Sequence, residues 1–113
     1  MKPPPSSWRG QSKYRSVKTE VDGITFDSKV EARRYGQLKL LERQGQIRNL
    51  TLQPEFDLIV NGVRICRYRG DFQYEVEDQS RPIVEDVKGY KTAVFRLKQK
   101  LLKACHGIDI LVT

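Results

Sequence analysis

The sequence predicts an α/β fold, more narrowly an α+β arrangement on one mixed sheet, in the order helix, three-strand meander, helix, strand, with a short hairpin ahead of the first helix. Three observations predict it. Two stretches, opening near Ser28 and Thr92, carry apolar residues at helical spacing and end at Gly45 and Gly107. Between them, apolar alternation is interrupted by Asn61-Gly62, a strong two-residue hairpin signal. After the second helix, Ile108 to Val112 reads as a closing strand.

Each element has its own signal. Val17, Thr19 and Val21 alternate, Asp22-Gly23 turns the chain, and Ile24 and Phe26 resume the alternation, which predicts a hairpin over Val17 to Phe26. Ser28 followed by Glu31 is a capping-box pair, so the first helix starts there, with Ala32, Tyr35, Leu38 and Leu41 along it. Ile47 to Leu52 is a connector with some strand character, ended by Pro54. Phe56 to Val60 is a strand, and a long return strand runs from Val63 to about Val76 with Tyr68, Phe72, Tyr74 and Val76 on one face. Gly70 inside it marks a bulge or bend. Asp78 to Pro82 is a turn, and Ile83 to Lys88 is the third strand. The second helix runs from about Thr92 to Cys105 with Val94, Leu97, Leu101 and Ala104 inward.

The chain has 113 residues, the size of one domain. Residues 1–16, with Pro3, Pro4 and Pro5 and no apolar periodicity, read as a mobile basic tail, which leaves 17–113 as the single folded domain. The formal charge is +7, an excess that points to a polyanion. Its distribution is sharper than its size: six basic residues and no acid lie between Val87 and His106, while acids gather around Asp71 to Asp78 and at Glu85 and Asp86. Two cysteines without a CxxC pair and a single histidine exclude a zinc finger or a histidine-rich metal site, and Cys66 and Cys105 read as reduced thiols. No window is apolar enough for a membrane span, and the expectation is a cytoplasmic protein with no membrane partner.

Three pieces of the sequence converge on one chemistry. Asp71 stands in the long strand, Asp86 and Lys88 share a face of the next strand, and Glu31 lies on the core-facing side of the first helix. Mg²⁺ or Mn²⁺ takes oxygen ligands, often only one or two carboxylates, and keeps water and substrate phosphate. The expected metal ligands are therefore Asp71, Asp86 and Glu31, with Lys88 beside them to orient water or steady charge on a reacting phosphate. Around them, Arg96, Lys100 and Lys103 form a basic stripe, and Lys91, with Lys13 and Arg15 of the tail, joins it as the expected nucleic-acid-binding set.

Asp71 followed fifteen residues later by Asp86-Val87-Lys88 resembles the signature of the PD-(D/E)XK nuclease superfamily, whose restriction-endonuclease-like core has the same element order. More narrowly, Val21 to Ala32, Leu52-Gln53-Pro54, Gly70-Asp71-Phe72, Val84 to Gly89 and Lys91-Thr92 resemble a family of small phage and prophage proteins that are predicted endonucleases. The resemblance covers about Tyr14 to Ile110, with Gly70 where the superfamily name has proline. It implies a Mg²⁺-dependent endodeoxyribonuclease with Glu31, Asp71, Asp86 and Lys88 as catalytic residues, acting on DNA in a host cytoplasm. A homodimer stays open, because cutting a four-way junction takes two active sites.

Plainer readings stand beside these. Glu31 also fits the N3 position of the cap opened by Ser28. Asp86 and Lys88 also fit an exposed ion pair, although a charged face in a central strand is costly without a use. Glu85 competes with Asp86 for a metal but points to the opposite face of a regular strand. The basic stripe also fits a solvated helix face, and the tail a solubilising one. His106 fits a partner of the helix dipole better than a catalyst. The alternative function is a nucleic-acid-binding module on the same fold without turnover.

Overall fold

A computed structural model of the chain describes residues 17–87 and 90–113. Its backbone contacts group into two compact units, one ending at Gln37 and one formed by Leu38–Thr113. Among the described residues there are two helices and three sheets, a mixed α and β architecture.

The first unit is a hairpin followed by the start of a helix. Strands β1 (Thr19–Val21) and β2 (Ile24–Phe26) pair antiparallel. Asp22 and Gly23 between them both hold positive φ, 54° and 77°, the geometry a tight hairpin turn demands. Helix α1 spans Lys29–Arg43. Its entry is capped as the sequence predicts, since Ser28 Oγ accepts the Glu31 backbone N–H at 3.1 Å. Phe26 and Tyr35 are buried with ring centroids 5.0 Å apart, and the Tyr35 hydroxyl donates to Asp22 Oδ2 at 3.2 Å, tying helix to turn.

The second unit opens with the end of α1, which Gly45 closes at φ 79°. It then contains β3 (Arg48–Leu52), β4 (Glu55–Val60), β5 (Val63–Arg69), β6 (Phe72–Glu75), β7 (Ile83–Asp86), α2 (Ala93–His106) and β8 (Ile110–Val112). Four strands form a sheet in the order β3-β6-β7-β8; β6 pairs antiparallel with β3 and β7, while β8 runs parallel to β7 after the α2 crossover. Strands β4 and β5 make a separate hairpin. Leu58, Tyr68, Val84, Phe95, Leu102 and Ile110 form the core between that hairpin, the sheet and α2. Burying a side chain as fully as Leu58 or Leu102 contributes on the order of 2 kcal/mol.

Four expectations need correction. The long return strand is two strands, because the backbone changes partner between adjacent residues: the Gly70 N–H bonds to Pro54 O, whereas the Asp71 N–H bonds to Glu85 O. Consequently Tyr68 does not share a face with Phe72 and Tyr74. Tyr68 packs with Val84 and Phe95, whereas Phe72 stands opposite Glu85, whose side chain alternates to the other side of β7. The connector before Pro54, expected to have only some strand character, is a full edge strand, β3, recruited by pairing with β6. Finally, α2 buries Phe95 and Leu102, while Val94 and Leu97 are exposed. Thr92 caps the helix through the Phe95 N–H at 3.0 Å, and packing of the larger Phe95 ring on Tyr68 sets this phase.

Candidate active site

The partner switch at Gly70-Asp71 brings two carboxylates together. Asp86 closes β7 and is 4% exposed. Its Oδ2 accepts a 2.6 Å hydrogen bond from the hydroxyl of Tyr68, near the end of β5. Asp71 follows two residues after Arg69, and its Oδ2 accepts the backbone N–H of Val87, the residue next to Asp86, at 2.7 Å. Both acids act on Tyr68: burial, then the hydrogen bond to Asp86, then the charges of Asp86 and Asp71 hold the phenol well above its ordinary pKa. A tyrosine so placed stays protonated at any physiological pH and remains a donor to Asp86.

Gly70 makes the approach fit. A Cβ there would lie 3.0 Å from Val84 Cγ1, 3.2 Å from the Tyr68 hydroxyl and 3.4 Å from Glu85 O. Any side chain at this point would push Tyr68 or β7 away from the site.

A cleft of about 460 Å³ opens over Asp86, lined also by Glu55, Arg67, Tyr68, Arg69, Thr92 and Lys98. Arg67 is already engaged by Asp57 at 3.3 Å and Glu55 at 3.7 Å. The result is a buried carboxylate at the base of a cation-rimmed cavity, beside a second carboxylate. Hard oxygen donors of this kind suit Mg²⁺ or Mn²⁺, which need only one or two protein carboxylates when substrate phosphate completes the shell. Among the described residues no three His, Cys, Asp or Glu side chains form a group that could hold a metal. Asp71 and Asp86 are the two carboxylates at this point whose oxygens could hold one.

The other expected residues fall in different places. Glu31 is half-buried in the first turn of α1, within the first unit, where its backbone takes part in the Ser28 cap. Lys88 lies outside the described residues, as do Lys13 and Arg15. Lys91, Arg96, Lys100 and Lys103 are exposed and line one shallow depression of about 670 Å³, where Arg96, Lys100 and Lys103 share a face as their helical spacing predicts. Lys103 is partly neutralised there by Asp109 at 2.9 Å. His106, in the last turn of α2, places a ring nitrogen 2.9 Å from Asp57 O and its ring 5.5 Å from Phe56, so it links the helix end to β4.

Sequence reasoning missed Tyr68, Arg69 and Lys98. Tyr68 reads as one more core aromatic in an alternating strand. Its position two residues before Gly70-Asp71 was the available signal. Lys98 lies three residues after Phe95 and so on the buried side of α2, a position that becomes visible once the phase of the helix is known.

The family model described as "Protein of unknown function (DUF1064)" matches residues 11–108, and the chain belongs to this family. Neither the curated proteins nor the solved structures give a match. Among the described residues, no helix is long and apolar enough to cross a membrane.

Proposed function

We propose that this member of the DUF1064 family is a Mg²⁺- or Mn²⁺-dependent endodeoxyribonuclease with a restriction-endonuclease-like core, hydrolysing phosphodiester bonds in DNA in the cytoplasm. The observation that carries the reading is the convergence of Asp71 and Asp86 on Tyr68 at the base of a cation-rimmed cleft. A helix, a sheet with β6 and β7 antiparallel, and a crossover helix leading to a parallel β8 match the element order that the PD-(D/E)XK resemblance implies.

In this reading each side chain has a task. Asp71 and Asp86 supply carboxylate oxygens. Tyr68 fixes the Asp86 carboxylate through its hydroxyl, and the Val87 N–H does the same for Asp71. A divalent ion held there would supply an activated water and neutralise phosphate charge. Lys88, two residues beyond Asp86, is assigned the orienting of water or the steadying of charge on the reacting phosphate, and Glu31 a supporting carboxylate role, both from the sequence. Lys91, Arg96 and Lys100 carry the flanking strand of DNA by phosphate contact, which offsets repulsion from the acids.

The test is cleavage of plasmid, single-stranded and branched DNA in each metal, with Asp86→Asn as the control. Cutting by the parent and none by the variant is expected. An uncut panel in both metals would sink the reading. A second reading, a nucleic-acid-binding module without turnover, is favoured by the exposed basic depression alone. Tight DNA binding with no Mg²⁺ or Mn²⁺ affinity by calorimetry would select it. Activity confined to four-way junctions would call for a homodimer, measurable by sedimentation.

A further inference from the structure

The cleft over Asp86 has features that carboxylate chemistry alone does not use. Arg69, on β5, and Lys98, on α2, both line it, and among the described residues neither takes part in an ion pair or a side-chain hydrogen bond. They differ in this from Arg67, which two acids already engage. Two carboxylates share this lining, but Glu55 is engaged by Arg67 at 3.7 Å and Asp86 by the Tyr68 hydroxyl, so a further anion between Arg69 and Lys98 would relieve the repulsion of two cations that face one cavity.

The end of α2 adds to the same side. Thr92 and Val94, at the start of this fourteen-residue helix, line the cleft, so the positive end of the helix dipole faces it. Helix starts usually carry Asp or Glu to balance that end, yet the first turn of α2 has no acidic residue. The capping hydroxyl of Thr92 is spent on the Phe95 N–H. Nothing from the chain's own helix start balances the dipole.

We infer that Arg69, Lys98 and the start of α2 form a phosphate subsite, separate from the basic depression of Lys91, Arg96 and Lys100. Its ligand is one phosphate group of a nucleic-acid strand, held beside the Asp86 carboxylate. The guanidinium of Arg69 offers a planar pair of donors and Lys98 a point charge. The volume is adequate: about 460 Å³ is roughly fifteen water volumes at about 30 Å³ each. The assignment of the phosphate to a strand rests on the nuclease reading; the binding of phosphate does not.

The experiment is a titration of the full chain with inorganic phosphate, without metal, followed by ¹H–¹⁵N NMR. Saturable shifts are expected at Arg69, Thr92, Val94, Phe95 and Lys98. Arg69→Gln and Lys98→Gln should each weaken binding about tenfold or more, the size of one charge-assisted hydrogen bond. Lys98→Arg, which keeps the charge, should restore most of it, and unchanged spectra elsewhere report that the variants fold. Thymidine dinucleotides with and without a 5′-phosphate separate the two sources: equal binding identifies a backbone phosphate, and preference for the phosphorylated one a strand end. Phosphate shifts confined to the Lys91, Arg96 and Lys100 surface, or unaltered in the double variant that combines Arg69→Gln with Lys98→Gln, overturn the subsite. If phosphate binds as described but no DNA is cut, the subsite stands and the nuclease reading falls; if DNA is cut equally well by the double variant and phosphate leaves the cleft unshifted, the reverse holds.

Discussion

Glu85 and Asp86 are neighbours on β7 and meet opposite fates. Both are buried, Glu85 with no exposed surface and Asp86 with 4%. Each accepts a hydrogen bond from a tyrosine, Tyr74 for Glu85 and Tyr68 for Asp86. Strand alternation sends them to opposite faces of the sheet. On the Asp86 face lie a second acid near the same phenol, an open cleft, and Arg69 and Lys98, which form no ion pair among the described residues; on the Glu85 face, the carboxylate stands opposite Phe72 and is held by Tyr74. A buried, tyrosine-bonded carboxylate therefore does not by itself identify a site. Access and surrounding charge do.

The largest expected effect would break this comparison outright if it failed. Asp86→Asn should lower DNA cleavage by about three orders of magnitude or more, as for loss of a group that stabilises a charged transition state. Its melting temperature should change little, since asparagine keeps the size and an acceptor for Tyr68. Glu85→Ala should act the other way: it leaves the Tyr74 hydroxyl without its partner and opens a cavity, at a cost of about 2 kcal/mol or more. Plasmid cleavage and thermal melting measured on both variants decide the matter. A folded but inactive Glu85→Ala, or an unfolded Asp86→Asn, would exchange the roles of the two faces.

Gly70→Ala comes next, because it strikes the point where the chain leaves one sheet for the other. The added methyl meets Val84, Tyr68 and the Glu85 carbonyl at 3.0–3.4 Å, and two of the three belong to β7. Overpacking of this kind costs about 1–3 kcal/mol. Cleavage should fall as well, since Tyr68 must move relative to Asp86. A urea midpoint and activity both equal to the parent would show that β5 and β7 are more loosely apposed than their contacts imply.

How much of this was legible in the sequence follows from the same residues. Asp71 and Asp86 were readable because their spacing and the intervening turn put two acids on neighbouring strands, and the structure does bring them together. The hairpin at Asp22-Gly23, the Ser28 cap and the α2 boundaries were readable from local turn and cap chemistry. The division of the return strand was not. Alternation continues unbroken through Tyr68, Phe72 and Tyr74, and only the change of hydrogen-bond partner at Gly70-Asp71 reverses the face. The phase of α2 was also hidden, because Val94, Leu97 and Leu101 form as good a stripe as Phe95 and Leu102. Tertiary packing on Tyr68 chose between them.

The two tyrosines sharpen the comparison at smaller cost. Tyr68→Phe and Tyr74→Phe keep the rings and each remove one hydroxyl, so each should lose about 1 kcal/mol of stability. Only Tyr68→Phe should also slow cleavage and raise the metal concentration needed for half-maximal rate. A pH series gives a second readout. The folded pKa of Tyr68 is raised above that of the unfolded chain, so its contribution is intact below about pH 10 and declines as pH rises beyond it, when the unfolded state releases a proton that the folded state retains. Alkaline unfolding should therefore be less steep in Tyr68→Phe than in the parent. Identical slopes would remove Tyr68 from the buried environment ascribed to it.

A third carboxylate, Glu42, calibrates the other two because it has a structural task and lies well away from full burial. Its Oε2 accepts the Leu50 N–H at 3.2 Å and its Oε1 meets Lys39 Nζ at 3.1 Å, joining the end of α1 to β3. The Leu50 N–H first, then Lys39, hold its pKa below the ordinary carboxylate range. Because the folded pKa is the lower one, the stabilisation is present at neutral pH and disappears as pH falls through that folded value. The side chain is 30% exposed, so solvent screening keeps the effect small, about a few tenths of a kcal/mol. Glu42→Gln should be slightly less stable than the parent at pH 7 by urea denaturation, and the gap should close at acid pH. Its cleavage rate should match the parent. A gap that stays constant with pH would mean that Glu42 acts through packing, and a loss of cleavage would mean that β3 positions the Asp71 end of β6 more tightly than the fold suggests. Either result would narrow the contrast between a carboxylate that holds the chain and one that faces a substrate.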